Sequence, residues 1–282
     1  MAFRLFHRTH YADPPAEQAK ETPGSLLKSL AILALLAWIL RSLIVAPFSI
    51  PSGSMLPTMM IGDYLFVAKW PYGYSRFSLP FGLGDFDGRI LSDDPERGDI
   101  VVFLGPEDAD VVKRVIGVPG DTVAVEGGQV ILNGKPIPRQ RIEDAAIALS
   151  PNSPCRVVPP AVAMVRPMTD GTNGCVYPAY RETLPNGRSY TVLDQTDEGF
   201  GDSFAAMTVP AGHLFLMGDN RDDSLDSRYP VEAGGMGLIP IDRVVGRAEL
   251  AFWSTDGSAS WINPISWFTA LRTDRIGTDY HP

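Results

Sequence analysis

Hydrophobic patterning divides the chain early. Residues 1–25 are polar, carry Arg4, Arg8 and Lys20, and show no apolar period. From residue 26 to residue 48 the chain turns apolar. Residues 30–40 are uncharged, and Leu43-Ile44-Val45-Ala46 extends the run. About 20 residues cross the hydrocarbon core of a bilayer, so 26–46 suffices if Lys28 and Arg41 reach out to the headgroups. A buried globular helix and a cleaved signal peptide compete with a permanent anchor. For a cleaved signal the apolar part is at the long limit, and Pro47 follows Ala46 where a small-residue cleavage site would stand. The adopted reading is a single membrane span over 26–46. The basic residues ahead of it place the tail 1–25 in the cytoplasm and everything after about residue 47 on the exported side.

Beyond the span the apolar runs are short and read as strands: 63–69, 99–104, 111–118, 213–217 and 244–253. Gly127-Gly128, flanked by 122–125 and 129–132, signals a hairpin. Residues 71–97 read as a long loop. Between 136 and 212 the pattern weakens, which suggests an inserted lobe with less regular structure. Trp261, Trp267 and Phe268 form an apolar end, suited either to the core or to a membrane interface.

Composition supports a turn-rich β protein over a helical bundle, since Gly and Pro number 27 and 25 among 282 residues. The net charge of −9 and the lack of a basic patch argue against a nucleic-acid partner. Cys155 and Cys175 can pair in an oxidising compartment. No Cys/His cluster has metal-ligand spacing.

Candidate chemistry begins just after the apolar run. Pro51 and Pro57 fix φ and push Ile50 and Leu56 towards extended geometry. Gly53 permits a tight turn between them. Such a loop presents Ser52 and Ser54 in a fixed direction, as a nucleophile requires; a membrane-proximal linker with turn serines is the plainer reading. A serine nucleophile needs a base. His213 is the one histidine inside the exported part away from the termini, and His281 sits beside the C-terminus. The exported lysines are Lys69, Lys113 and Lys135. Strand alternation puts Lys113 on the face of Val111 and Val115, where desolvation disfavours the ammonium form; the alternative is a solvent face beside Arg114. The polar run from Gly218 to Arg228 lacks EF-hand spacing, and its interleaved Arg and Asp suggest a network bracing a site.

Four motifs in order then carry a resemblance: Ile50-Pro51-Ser52-Gly53-Ser54-Met55-Leu56-Pro57-Thr58, Arg97-Gly98-Asp99-Ile100-Val101-Val102-Phe103, Lys113-Arg114-Val115-Ile116-Gly117-Val118-Pro119-Gly120-Asp121, and Gly218-Asp219-Asn220-Arg221-Asp222 through Ser224, Asp226 and Arg228. Together they resemble bacterial signal peptidase I. The resemblance implies a mainly β fold like that of SOS-repressor peptidases: an antiparallel β catalytic core (47–120 and 209–282) with an inserted β cap lobe (121–208). It implies a membrane-bound serine endopeptidase with Ser54 as nucleophile and Lys113 as general base, a reading that needs neither metal nor cofactor. Ser52 would form the oxyanion hole with the Ser54 amide, Ser224 would orient Lys113, Asp226 and Arg228 would brace that loop, and Asp219 would pair with Arg114. Phe48, Ile50, Met55, Val111 and Val112 would line pockets for small residues at the −1 and −3 positions of a preprotein signal peptide. Val111 is aliphatic where an aromatic is familiar. The implied partners are signal peptides and the lipid bilayer, and the implied location is the inner (plasma) membrane. A specialised pilin- or conjugation-type peptidase and an anchored, non-enzymatic secretion-partner domain are the alternatives.

Overall fold

The computed structural model describes residues 23–78, 88–91, 93–106, 108–169, 171–260 and 262–281. Most of the tail, part of the 71–97 loop and Trp261 lie outside the described residues. Chain contacts divide the protein after Trp38.

The apolar run forms a helix, Pro23–Leu43, with exposed side chains along most of its length and Arg41 in its last turn. It is long and apolar enough to cross a membrane. It ends three residues before the expected limit, and Val45–Ser49 is a strand instead. Pro47 explains the change: its ring disfavours helical geometry at Ala46, and it cannot supply a helical N–H.

In residues 39–282 the organising element is a seven-stranded antiparallel sheet. Its order is Val45–Ser49, Asp63–Ala68, Val244–Ser254, Ile100–Leu104, Asp110–Gly117, His213–Met217 and Ile239–Pro240. The Ile100–Leu104 strand lies mid-sheet and is buried on both faces, which is why its sequence is apolar without alternation. Ile100 and Val102 pack with Ile50, Met55 and Leu65, whereas Val101 and Phe103 pack on the other face with Val115 and Leu216. The Gly127-Gly128 hairpin is present, joining Thr122–Glu126 to Gln129–Leu132. Those strands belong to a four-stranded sheet with Ser203–Thr208 and Lys135–Pro136. Val123, Val125 and Val130 share a core with Ile116, Phe215 and Met217, so this hairpin packs directly on the large sheet. Two three-stranded sheets occupy most of 139–193. Cys155 and Cys175 are disulfide-bonded, with Cα atoms 5.2 Å apart.

Register decides what the sheet can offer. Residues 110–114 pair with the Ile100–Leu104 strand, Val101 standing opposite Lys113. On the other side, His213–Met217 pairs only with Arg114, Val115 and Gly117. Residues 110–113 therefore keep one unpaired edge among the described strands.

The serine loop is closed at its base by Ile50 N donating to Asp63 O and Gly62 N to Ile50 O. Asp63 is fully buried. Its carboxylate accepts from Met60 N (2.8 Å), Ser254 Oγ (2.7 Å), Arg275 Nη2 (2.6 Å) and Tyr280 Oη (3.2 Å). Burial works to raise its pKa, but the Arg275 guanidinium and the other donors hold it below the ordinary value. Asp63→Ala should thus leave Arg275 uncompensated and destabilise the protein by roughly 3–5 kcal/mol, measured by denaturant unfolding. The native Asp63 contribution should be present above about pH 4 and fade as pH falls through its depressed pKa; a substitution that costs under about 1 kcal/mol would remove Asp63 as the anchor.

Candidate active site

The serine loop is held by main-chain contacts from a distant segment. Asn220 N donates to Ser54 O (3.0 Å), and Asn220 Nδ2 donates to Gly53 O (3.0 Å). Thr58 Oγ1 donates to Asp219 Oδ2 (2.5 Å). Gly218 makes the close approach possible: a Cβ there would stand 2.3 Å from Ser224 Oγ and 2.5 Å from Ser54 O. Any side chain at 218 would push the two segments apart.

On this loop Ser54 is buried, and its Oγ accepts from Lys113 Nζ at 2.7 Å. Lys113 is 3% exposed. It arises from the inner face of its strand, which excludes the solvent-face alternative. Its second acceptor is Val112 O at 3.0 Å. Desolvation by burial pulls the amine down to about 8, against the opposing pull of Asp226 and Asp219. The other candidate bases are elsewhere. Lys69 is buried and donates to the carbonyls of Ser42 and Ser78; Lys135 is exposed; His213 pairs with Ala211 O; His281 contacts Arg188 and Arg247.

Ser52 is exposed, with its Oγ 3.4 Å from Ser54 Oγ. Among the described residues the Ser54 amide donates to no protein acceptor. Ser224 Oγ donates to Asp226 Oδ2 (2.8 Å) and makes no bond to Lys113, so in this state it acts on the aspartate and not directly on the amine. Asp226 also accepts from Gly218 N (3.0 Å) and from Arg228 Nε (2.9 Å) and Nη2 (2.9 Å). Although burial opposes ionisation, Arg228 holds the Asp226 pKa below its usual value. Asp219 forms a two-pronged pair with Arg114, at 2.8 and 2.6 Å. Both pairs are buried.

A cleft of about 380 Å³ opens over the serine. Phe48 and Ile50 line it from one side, and Val111, Val112 and Lys113 from the other. The strands that carry these residues stand first and fifth in the sheet, so the sheet curls to bring them together. Met55 does not reach the cleft; it is fully buried among Ile50, Met59 and Leu65 and supports the floor from beneath. Arg156 and Asp223, paired at 2.9 Å, line the far wall. Sequence reasoning assigned no role to Asn220 or Arg156. Asn220 lies 167 residues from the carbonyl it holds, and no local spacing signals that contact.

A hydroxyl donated to by a buried, weakly basic amine, beside an unpaired strand edge, suits nucleophilic attack on an extended peptide. Comparison with known proteins gives the family. The family model for signal peptidase, peptidase S26, matches residues 24–253. The chain belongs to this family. Among its relatives, the signal peptidase I of Rickettsia canadensis (strain McKiel) is 34% identical over 276 residues, covering 91% of this chain and 93% of that protein. The signal peptidase I of Rickettsia typhi is 33% identical over 267 residues, covering 88% and 90%. A solved signal peptidase I from Enterococcus faecalis V583 is 22% identical, covers 55% of this chain and 97% of its own, and has a TM-score of 0.29. Membership in the signal peptidase family makes the chain a peptidase, and with the apolar helix it points to a membrane-anchored one.

The electrostatics of the site predict a direction. Asp226 raises the Lys113 pKa, so Asp226→Asn should lower the Lys113 midpoint below about 8. Arg228, left without its partner, would add to the fall. An NMR titration of labelled lysine side chains checks this, and an upward or absent shift would contradict the coupling.

Proposed function

We propose that this chain is a membrane-bound serine endopeptidase that cleaves signal peptides from exported preproteins. Ser54 is its nucleophile and Lys113 its general base. The observation that carries this reading is the 2.7 Å contact between Lys113 Nζ and Ser54 Oγ in a buried setting. An amine pulled down to about 8 has a substantial neutral fraction near pH 7–8 and can accept a proton.

In the first step Lys113 Nζ takes the Ser54 hydroxyl proton as Oγ bonds to the scissile carbonyl carbon. The carbonyl oxygen becomes an oxyanion, to which the Ser54 amide and the Ser52 hydroxyl donate. One such donor is typically worth about 3–4 kcal/mol. Collapse breaks the C–N bond, and the leaving amine takes its proton from Lys113. The acyl-enzyme that remains is attacked by water, with Lys113 again accepting the proton and returning it to Ser54.

The unpaired edge at 110–113 supports an extended substrate added as a further strand. Successive side chains of a strand alternate in direction. The −1 and −3 residues would therefore share a face and meet the walls formed by Phe48, Ile50, Val111 and Val112, where space suits small side chains. On this reading 47–120 and 209–282 carry the chemistry, 121–208 forms the cap, and the catalytic part lies on the exported side of the inner (plasma) membrane.

Ser54→Ala and Lys113→Ala should each abolish cleavage of a signal-peptide substrate while leaving the circular dichroism unchanged. Lys113→Arg should fail as well, because guanidinium stays protonated. For the native chain, kcat/KM should rise with pH through a midpoint near pH 8 and level off roughly one pH unit higher, since the base is inactive when protonated. Ser52→Ala should lose roughly 10²–10³ in kcat. Lys113→Ala retaining a tenth of native activity would sink the dyad, whereas a native chain that cleaves no signal-peptide substrate would favour a non-enzymatic binding domain.

Apolar side chains near the C-terminus support bilayer contact beyond the anchor. Ile262, Ile265 and Phe268 are 95%, 72% and 77% exposed, and Trp267 is 44% exposed with its Nε1 donating to Ser260 O. A chain beginning at residue 47 should therefore sediment with lipid vesicles, and Trp267→Ala with Phe268→Ala should weaken that binding without changing cleavage of a short soluble peptide. Truncated protein that stays wholly in the supernatant would assign these residues to another role.

A further inference from the structure

Three carboxylates converge where the proposed chemistry makes no use of them. Asp194 follows the strand Ser189–Leu193, Asp202 closes the short 3-10 turn Phe200–Asp202, and Asp222 lies in the polar run after His213–Met217. One oxygen from each lies within 4.8 Å of the others. Asp194 and Asp202 are only 5% and 4% exposed.

Their hydrogen bonds leave two oxygens unmet. Asp194 Oδ2 takes the Arg139 guanidinium, Asp202 Oδ2 takes Gly199 N (2.7 Å), and Asp222 Oδ2 takes Gln195 N (2.6 Å) and Thr196 N (3.3 Å). Asp194 Oδ1 and Asp202 Oδ1 are buried with no partner. A buried polar atom without a partner is rare and calls for an unseen one. Charge is short as well. Among the described residues Arg139 is the only cation in direct ion pairing with the three acids, and three negative charges against one leave a deficit of two. Arg228, close by, is committed to Asp226.

We propose that Asp194, Asp202 and Asp222 form a binding site for a hard divalent cation, calcium before magnesium. All-oxygen donor sets select such ions. Oxygens bound to one calcium ion at about 2.3–2.6 Å can stand at most about 5 Å apart, whereas the shorter bonds to magnesium allow only about 4.2 Å. The three oxygens lie within 4.8 Å of one another, a separation closer to what the wider calcium shell spans than to what magnesium allows. A bound ion would tie the 194–202 segment to Asp222, which together with Asp223 and Ser224 lines the cleft. The ligands come from three separate stretches, so no spacing motif in the sequence marks them.

The test uses the full chain in detergent micelles, freed of metal by a chelator and titrated calorimetrically with CaCl2 and, separately, MgCl2 at pH 7.5. Calcium should bind saturably at one site with a Kd of about 1 mM or tighter, magnesium more weakly, and calcium should raise the unfolding temperature. Asp202→Asn should weaken calcium binding at least about tenfold. In chelator it should unfold at or above the native temperature, because one of three crowded charges is gone; in calcium the order should reverse. A purely structural aspartate would give no such reversal. Absence of saturable calcium binding by the native chain up to about 10 mM, or an unchanged calcium response in Asp202→Asn, overturns the site. Should Asp202→Asn not fold, Asp194→Asn carries the same comparison, and the native titration stands by itself.

Discussion

The site depends on keeping one amine dry. Lys113 is almost fully buried, and desolvation is the largest influence on its pKa. Two carboxylates nearby, Asp226 and Asp219, pull the other way, and acting freely they would restore an ordinary ammonium ion. Each is instead committed to its own arginine, Asp226 to Arg228 and Asp219 to Arg114. Arg228 opposes part of this pull at Lys113, and both acids retain hydrogen-bonding capacity for neighbouring groups. Asp226 spends it on Gly218 N and Ser224 Oγ, and Asp219 on Thr58 Oγ1. The same acids therefore hold the loops in place without recharging the amine.

Geometry follows from this arrangement. The serine loop has no regular structure of its own to position it, so it borrows rigidity from the segment after His213–Met217 through Asn220, and from the C-terminal segment through Asp63 and Arg275. Gly218 lets these backbones approach, and the curl of the sheet closes the cleft opposite. The strand that supplies Lys113 also supplies the free edge at 110–113. Amine and edge are thus fixed to one another by a single stretch of backbone, which on the proposed reading would leave little freedom between the Ser54 hydroxyl and a peptide laid along that edge.

Much of this was legible in sequence because it is local. β-branched runs bounded by Gly and Pro marked five of the seven strands of the large sheet, missing Val45–Ser49 and Ile239–Pro240, and the double-glycine hairpin fell where expected. Alternation offered Lys113 an apolar face but left a solvent face open, and the family resemblance made it the candidate base. What stayed hidden were relations between distant segments. Asn220 and Gly218 matter through contacts with residues 53 and 54, and the carboxylates at 194, 202 and 222 meet only after folding. Met55 misled because adjacency to the serine suggests the cleft, yet the turn directs it into the core. Ser224 was assigned to Lys113 by resemblance, whereas here its hydroxyl is taken by Asp226 two residues away. Local competition for a hydroxyl of that kind leaves no trace in spacing.

Burial of the amine has a thermodynamic side that ties site to scaffold. A lysine whose pKa falls from 10.5 unfolded to about 8 folded makes no difference to stability above pH 10.5, where both states are neutral. As pH falls the unfolded chain binds the proton first, and stability drops until about pH 8, below which the full penalty of roughly 3 kcal/mol applies. At neutral pH the fold therefore carries that penalty permanently. The acids work in the opposite sense: Asp63 and Asp226 have depressed pKa values, so their stabilisation is fully present at neutral pH and fades only in acid. Between the two regimes lies a window in which the acids are ionised and paired while the amine is still partly neutral. The ion pairs that frame the site thus offset, over the pH range where Lys113 is partly neutral, the instability that its burial creates.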